Sequence, residues 1–358
     1  MTKPSHEKSG ISPFLLEQKF NFQLFSVVAS LMFCVGALNY LVDPLWYKHG
    51  NLITGKNFSF NERISKTNLF LRNKNKGYNC LILGSSRVVA LNASRLKQYK
   101  CFNYSFKGDW APDFVNVSKF LKKESLNPKL IYVGVDEFNF IEQQDVEKKL
   151  RQQGKEEDFS KFATSSPYHA YFSFNTLLFS LKTLQEHNPD PRNYYNNNYE
   201  VVDFNPRLRY TPVFLPLKES RKCDLSTVRF YLQIRSLFPK AKIIGYVPPV
   251  SAWYVVNEVY NRNVMDCVLQ GFYEIAKIYD DMYDFSVPSL LTMNPKNTYD
   301  GTHFTPQAND DVLAVLENNN NNLGLNIREY NFESYKRTYK NKLKDFLVNQ
   351  GRLDLWRN

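Results

Sequence analysis

Cys80-Leu81-Ile82-Leu83-Gly84-Ser85-Ser86 is the stretch on which the fold of this chain turns. Four apolar residues in a row read as a strand buried on both faces, and glycine followed by two serines marks its abrupt end. The same pattern recurs along the chain. CFNYSF at 101–106 is a second run, followed by Gly108, and KLIYVGVDEF at 129–138 is a third. KAKIIGYVPPV at 240–250 and MYDFS at 282–286 are a fourth and a fifth. Between them, PDFVNVSKFLKKE (112–124) and TVRFYLQIRSLF (227–238) space their apolar residues three and four apart, as helices do. Continuous apolar strands alternating with amphipathic helices predict an α/β domain with a mostly parallel five-stranded sheet covered on both faces.

At 358 residues the chain holds one large domain with appendages. Its 43% apolar and 15% aromatic content excludes a mainly disordered chain. The formal charge of +11 is spread along the sequence without an Arg-rich block, a zinc pattern or a nucleic-acid signature. It reads either as a solvated basic surface or as the mark of an anionic partner such as a membrane surface or acidic glycan, and nucleic acid is not an expected partner. The cysteines at 34, 80, 101, 223 and 267 contain no CxxC pair, so neither a cysteine metal site nor a disulfide framework is indicated. Cys80 and Cys101, on predicted strands, read as buried free thiols. A bridge between Cys223 and Cys267 stays open.

Residues 20–42, FNFQLFSVVASLMFCVGALNYLV, carry no charge. A helix of that length spans a bilayer core of roughly 30 Å. Lys3, Lys8 and Lys19 precede it, which predicts a cytoplasmic tail at 1–19 and an anchor at 20–42. No small-residue cleavage site follows, so the anchor is expected to stay uncleaved, with the rest of the chain outside the cytoplasm. Residues 43–77 read as a connecting segment of little periodicity. A globular domain follows at 78–317. Within it, 141–224 reads as an insertion with an apolar helix candidate at 176–184, on the carboxyl side of the sheet where ligands bind. Residues 318–358 begin with an asparagine tract, a polar spacer, and end in a Lys- and Arg-rich helix.

Three features fall near the carboxyl ends of these strands. Ser86 sits where a strand meets an expected helical stretch, a junction that lifts a nucleophile clear of the sheet and aims helix amides at negative charge. Tyr299-Asp300-Gly301-Thr302-His303-Phe304 precedes Thr305-Pro306, a capping pair that starts a helix. The three-residue spacing lets Asp300 reach the His303 imidazole and fix its tautomer, as activation of a serine requires. Gly108, after Asn103-Tyr104-Ser105-Phe106-Lys107, brings a backbone N–H to a substrate oxygen unhindered by a side chain. With the Ser86 amide it forms a candidate oxyanion hole. Each feature alone also has a bland reading: a Gly-Ser-Ser turn, a capping aspartate, a turn glycine. Arg87 and Lys107, flanking the candidate site, read either as attractors of an anionic substrate or as solvated charges.

In this order, a strand ending in GxS, then N-x-x-x-x-G, then a late DxxH before the last helix, the sequence resembles the SGNH (GDSL-like) hydrolase superfamily. The resemblance covers roughly 78–317 and implies a three-layer flavodoxin-like domain with strand order 2-1-3-4-5. It places the nucleophile at Ser86, the oxyanion glycine at Gly108 and the catalytic pair at Asp300 and His303, with no metal or other cofactor. Ser85 stands where the family usually has aspartate. The GSS form behind one N-terminal anchor looks like the extracytoplasmic branch that includes proteins of alginate O-acetylation and teichoic-acid D-alanylation.

One departure stands out. The family places an oxyanion-donating asparagine after its third strand; Gly134-Val135-Asp136-Glu137-Phe138-Asn139 puts Asp136 nearest that position. An ionised carboxylate there opposes an oxyanion, and a lost donor removes on the order of 3 kcal/mol of transition-state stabilisation. Asn139 is the alternative donor. Ser85, Arg87, Asp136 and Asn139 are therefore candidate substrate contacts. The expected function is that of a serine esterase or O-acyltransferase on a cell-envelope polysaccharide, served by an acyl donor or a membrane-bound acyltransferase partner. The alternatives are a catalytically inactive scaffold of such an assembly and a soluble lipase or esterase.

Overall fold

The computed structural model describes residues 13–154, 156–189, 193–204, 209–318 and 323–357. Lys3, Lys8 and residues 319–322 of the asparagine tract lie outside them. Strand β1 (Cys80–Leu83) lies between β2 (Cys101–Asn103) and β3 (Leu130–Gly134), parallel to both. The sheet continues in parallel through β6 (Lys242–Val247) and β7 (Asp281–Asp284). It closes on β8 (Leu325–Asn326), antiparallel to β7. The two intervening strands, β4 (Asn193–Tyr195) and β5 (Val201–Phe204), form a separate antiparallel hairpin.

The sheet order is β2-β1-β3-β6-β7-β8. With the hairpin set aside, the parallel part has the expected 2-1-3-4-5 order, but the sheet has six strands rather than five. The sixth escapes sequence reading because it is two residues long, too short for any periodic signal. Gly324 lets it approach β7: a Cβ there would lie 2.7 Å from the Asp284 carbonyl oxygen.

Alternate residues of the strands face opposite layers. Leu81, Leu83, Ile131, Val133 and Ile243 pack in one core with α3 (Ala111–Lys123), α7 (Val228–Leu237), α9 (Met265–Ile278) and α11 (Phe332–Asn349). Ile82, Tyr132, Ile244 and Tyr246 face α10 (Pro306–Asn318) through Val312 and Leu316. The C-terminal stretch is thus part of the domain. Tyr335, Tyr339, Leu343, Phe346 and Leu347 of α11 are buried, and the Tyr335 hydroxyl donates to Asp284 at 2.5 Å.

The connecting segment contains α2 (Glu62–Asn73), a helix that buries Lys66, Thr67 and Asn68 beside Leu69 and Phe70. Those polar residues erase the apolar period. Each has a partner: Thr67 Oγ1 meets the Tyr104 hydroxyl at 2.8 Å, Asn68 Nδ2 donates to the Leu45 carbonyl at 3.0 Å, and Lys66 Nζ donates to the Ser105 carbonyl. The insertion carries α4 (Val146–Gln153), α5 (Pro167–Tyr171), α6 (Phe174–Leu184) and the β4–β5 hairpin. A three-residue helix, α8 (Ala252–Tyr254), follows β6.

Helix α1 (Pro13–Val42) is long and apolar enough over Glu17–Val42 to cross a membrane. Its apolar side chains, among them Phe22, Phe25 and Phe33, are exposed until the last two turns, where Asn39 and Val42 are buried against the domain.

The expectation of free thiols at 80 and 101 is overturned. The register of β1 and β2 sets Cys80 directly beside Cys101, and the two are disulfide-bonded. Cys223 and Cys267 form a second bond, tying the end of the insertion to α9. Cys34 on α1 is free and exposed.

Candidate active site

Beyond β1 the chain does not enter a helix. It reverses through turns closed by Val88 N–H to the Ser85 carbonyl (3.0 Å) and Leu91 N–H to the Val88 carbonyl (3.0 Å). The helix N-terminus expected behind Ser86 is therefore not there, and other contacts fix the turn. Val88 drops onto two glycines at the ends of adjacent strands. A Cβ on Gly84 would lie 2.4 Å, and one on Gly134 2.6 Å, from Val88 Cγ2. From β2, Asn103 Nδ2 donates to the carbonyls of Val88 (3.1 Å) and Leu91 (2.9 Å). Asn103, which opens the N-x-x-x-x-G stretch, thus holds the Ser86 turn.

Ser86, half-buried, lies with its Oγ 2.9 Å from His303 Nε2. On the far side of the ring, His303 Nδ1 lies 2.7 Å from Asp300 Oδ2. The other oxygen, Asp300 Oδ1, accepts the backbone N–H groups of Thr302 and His303, each at 2.9 Å. Burial works to raise the pKa of Asp300, but the hydrogen bonds from His303 and from these amides prevail and hold its carboxyl well below the usual carboxylate range. The loop is fixed from below: the His303 carbonyl accepts from Tyr299 N–H (3.0 Å) and Thr298 Oγ1 (2.8 Å). Gly301, at φ +90°, accepts from Ser251 N–H at 2.7 Å, and a Cβ there would strike the Tyr210 ring. Three motif residues 217 positions apart at the extremes thus meet as serine, imidazole and carboxylate in line.

Gly108 is exposed with φ +72°, a left-handed conformation that favours glycine. The preceding Lys107 N–H is engaged by Glu62 Oε2 at 2.6 Å. Among the described residues, neither the Ser86 nor the Gly108 backbone N–H donates to another group. Both remain available to an incoming oxygen.

Of the four candidate substrate contacts, Arg87 borders the cleft at Ser86 while its charged end turns inward, and the other three lie beneath the site. Ser85, Arg87, Asp136 and Asn139 are all buried. Arg87 Nη1 reaches Asp136 Oδ1 at 3.2 Å and also pairs with Glu137, while Nη2 lies 3.0 Å from Glu137 Oε1. The Tyr254 hydroxyl completes the cluster at 2.7 Å from Glu137 Oε1. Arg87 is therefore neither solvated nor free to draw in an anion. Burial pushes the Asp136 carboxyl up to about 6, against the attraction of Arg87. Asp136 thus faces a guanidinium and not an oxyanion. Asn139 cannot substitute as a donor in this arrangement: its Oδ1 accepts Ala111 N–H at 3.1 Å, securing the start of α3, and its Nδ2 faces the Asp136 carbonyl at 3.3 Å. Lys107 Nζ sits 3.6 Å from Glu62 Oε1.

Sequence reasoning missed one residue. A small cleft at Ser86 is lined by Ala90, Lys107, Tyr299, His303 and Asn193, the last from β4. The buried Asn193 side-chain oxygen has no hydrogen-bond partner among the described residues. No periodicity in the insertion marks it.

No protein-family model matches the chain, and no curated protein matches it. Among solved structures it is similar to a Bacteroides fragilis protein described as a candidate acylhydrolase. That match has 12% identity over 66% of this chain and 84% of the other, with a TM-score of 0.30. A likeness that faint carries no argument, and the functional reading rests on the site.

Proposed function

We propose that this chain is a serine esterase or O-acyltransferase that works through an acyl-serine intermediate. The observation that carries the reading is the unbroken line from Ser86 Oγ to His303 to Asp300, at 2.9 and 2.7 Å. In the reaction, His303 Nε2 takes the Ser86 proton as Oγ attacks an ester carbonyl, while Asp300 orients the ring and stabilises its charge. The Ser86 and Gly108 amides receive the developing oxyanion. The leaving alcohol takes the proton back from His303. Water or a sugar hydroxyl then attacks the acyl-serine by the same steps in reverse.

The acceptor we favour is a cell-envelope glycan, with a membrane-bound acyltransferase as the supplier of acyl groups. Two features support an extracytoplasmic setting: α1 has the length and composition of an anchor, and two disulfides suit an oxidising compartment. In this reading the anchor is uncleaved and the domain stands on the outer side of the cytoplasmic membrane. Pairing with Arg87 offsets the charge of Asp136 but supplies no donor in its place, so the inactive scaffold is the second reading.

The deciding experiment is labelling of the purified chain by a serine-directed fluorophosphonate, beside Ser86→Ala. Labelling that disappears in the variant is the expected result. Absence of labelling in the native chain, together with no release of acetate from aryl acetates, rules the reading out in favour of a scaffold.

A further inference from the structure

Helix α6 is built inside out. Its buried residues are polar, Thr176, Ser180 and Thr183, while Phe174, Leu178, Leu181 and Leu184 are exposed, Phe174 by 70%. A surface helix of a globular domain has the opposite arrangement. The polar face is well satisfied. Ser180 Oγ donates to Asn39 Oδ1 at 2.8 Å, and Thr183 Oγ1 donates to the Phe179 carbonyl at 2.9 Å. The apolar face therefore does not result from a misplaced register. It is the face the helix presents.

Its location says what covers it. Helices α5 and α6 dock on the last turns of α1: Asn39 Nδ2 donates to the Tyr171 carbonyl at 2.7 Å, and a Cβ on Gly36 would lie 2.8 Å from the Phe172 ring. Counted from Phe20 at 1.5 Å per residue, Gly36 and Asn39 lie about 24 and 28 Å along the uncharged run, where a hydrocarbon core of roughly 30 Å gives way to headgroups. Tyr40, Tyr47 and Tyr171 cluster there edge to edge, and Tyr168 is exposed nearby, the aromatic composition of a membrane boundary. No Asp, Glu, Lys or Arg occurs between Lys161 and Lys182. Leu41, Leu52 and Ile53, exposed at the end of α1, continue the apolar surface.

We infer that α6 lies in the interfacial layer of the same bilayer that α1 crosses, burying Phe174, Leu178 and Leu181 among the lipids. The domain is then held to the membrane at two points and does not swing on a single tether. The inference rests on reading α1 as an anchor, and its test separates the two.

The full-length chain is reconstituted in phosphatidylcholine–phosphatidylglycerol vesicles and labelled with an environment-sensitive fluorophore at one cysteine. Native Cys34 reports on α1. In a Cys34→Ser background, Leu178→Cys and Leu181→Cys report on α6, and Glu186→Cys serves as an exposed reference just beyond it. Labels at 34, 178 and 181 should lose about half their emission to lipid-borne nitroxides and resist aqueous iodide, with the reverse at 186. A label at 34 untouched by lipid quenchers overturns both readings. Quenching by lipid at 34 with free access of iodide to 178 and 181 leaves the anchor standing and overturns this inference, assigning the face to a protein partner instead.

Discussion

Ser86 and Arg87 are neighbours in the chain and belong to two opposite kinds of charge environment. Ser86 enters a line with His303 and Asp300 that stays partly in contact with solvent, the two side chains being 22% and 43% exposed. Arg87 turns inward to a largely buried cluster with Asp136, Glu137 and Tyr254. The open line has the geometry to move a proton and accept a substrate. In the buried cluster, burial disfavours each charge, but Glu137, Tyr254 and Asp136 outweigh that for Arg87 and hold it protonated. Adjacent residues thus divide the work: one is disposed for chemistry, the other ties the ends of β1 and β3 beneath it.

The sharpest way to break this division is to remove each member separately. Ser86→Ala should lower esterase turnover on the order of 10⁶-fold, as loss of a triad nucleophile does. It should leave the urea unfolding midpoint unchanged, and a large drop in that midpoint would show Ser86 to be structural. Asp300→Asn comes next, with a loss on the order of 10²- to 10⁴-fold in turnover; the upper figure belongs to a buried aspartate, and this one is partly solvated. The double variant Ser86→Ala/Asp300→Asn should be no worse than Ser86→Ala, because the residues act as a unit. Additive losses in rate would dissolve that unit.

Arg87→Met inverts the pattern. It leaves Asp136 and Glu137 buried without their cation, a defect of about 3–5 kcal/mol measurable by denaturant titration. Turnover per folded molecule should fall much less than in Ser86→Ala. Asp136→Asn is the mildest test. The folded state holds the Asp136 proton to about pH 6, above the unfolded value near 4, so it binds more protons in that window. Ionising this carboxyl therefore removes stability as pH rises from about 4 to 6. The asparagine variant should lose that slope, read from urea midpoints across the window, and should not gain turnover. A rise in turnover would mean that Asp136 acts on the oxyanion after all.

The parts of this picture legible in the sequence are those written over short range. Strands β1, β3 and β6 are continuous apolar runs, and Asp300 and His303 belong to one loop, where spacing alone brings carboxylate to imidazole. What stayed hidden depends on register or on partners far along the chain. The Cys80–Cys101 bond needs the β1–β2 alignment, which no residue in either strand announces. Helix α2 hides behind Lys66, Thr67 and Asn68, whose partners come from residues 104, 105 and 45. Arg87 looked like a surface charge because both of its carboxylates lie about 50 residues away, past the end of β3. The apolar character of 176–184 could be read from the sequence, but which face would be buried could not.

Gly84 and Gly134 touch no substrate in the proposed reaction, yet they set the height of the nucleophile. Val88 occupies the space both leave empty, so the Ser86 turn rests on the sheet as a lid rests on its rim. A methyl group at either glycine would lift that rim, shifting Ser86 against a His303 held by a separate loop. The distance between the two reacting groups is therefore encoded partly by the absence of side chains beneath them. Activity at this site can be tuned from two positions that a search for polar residues would pass over.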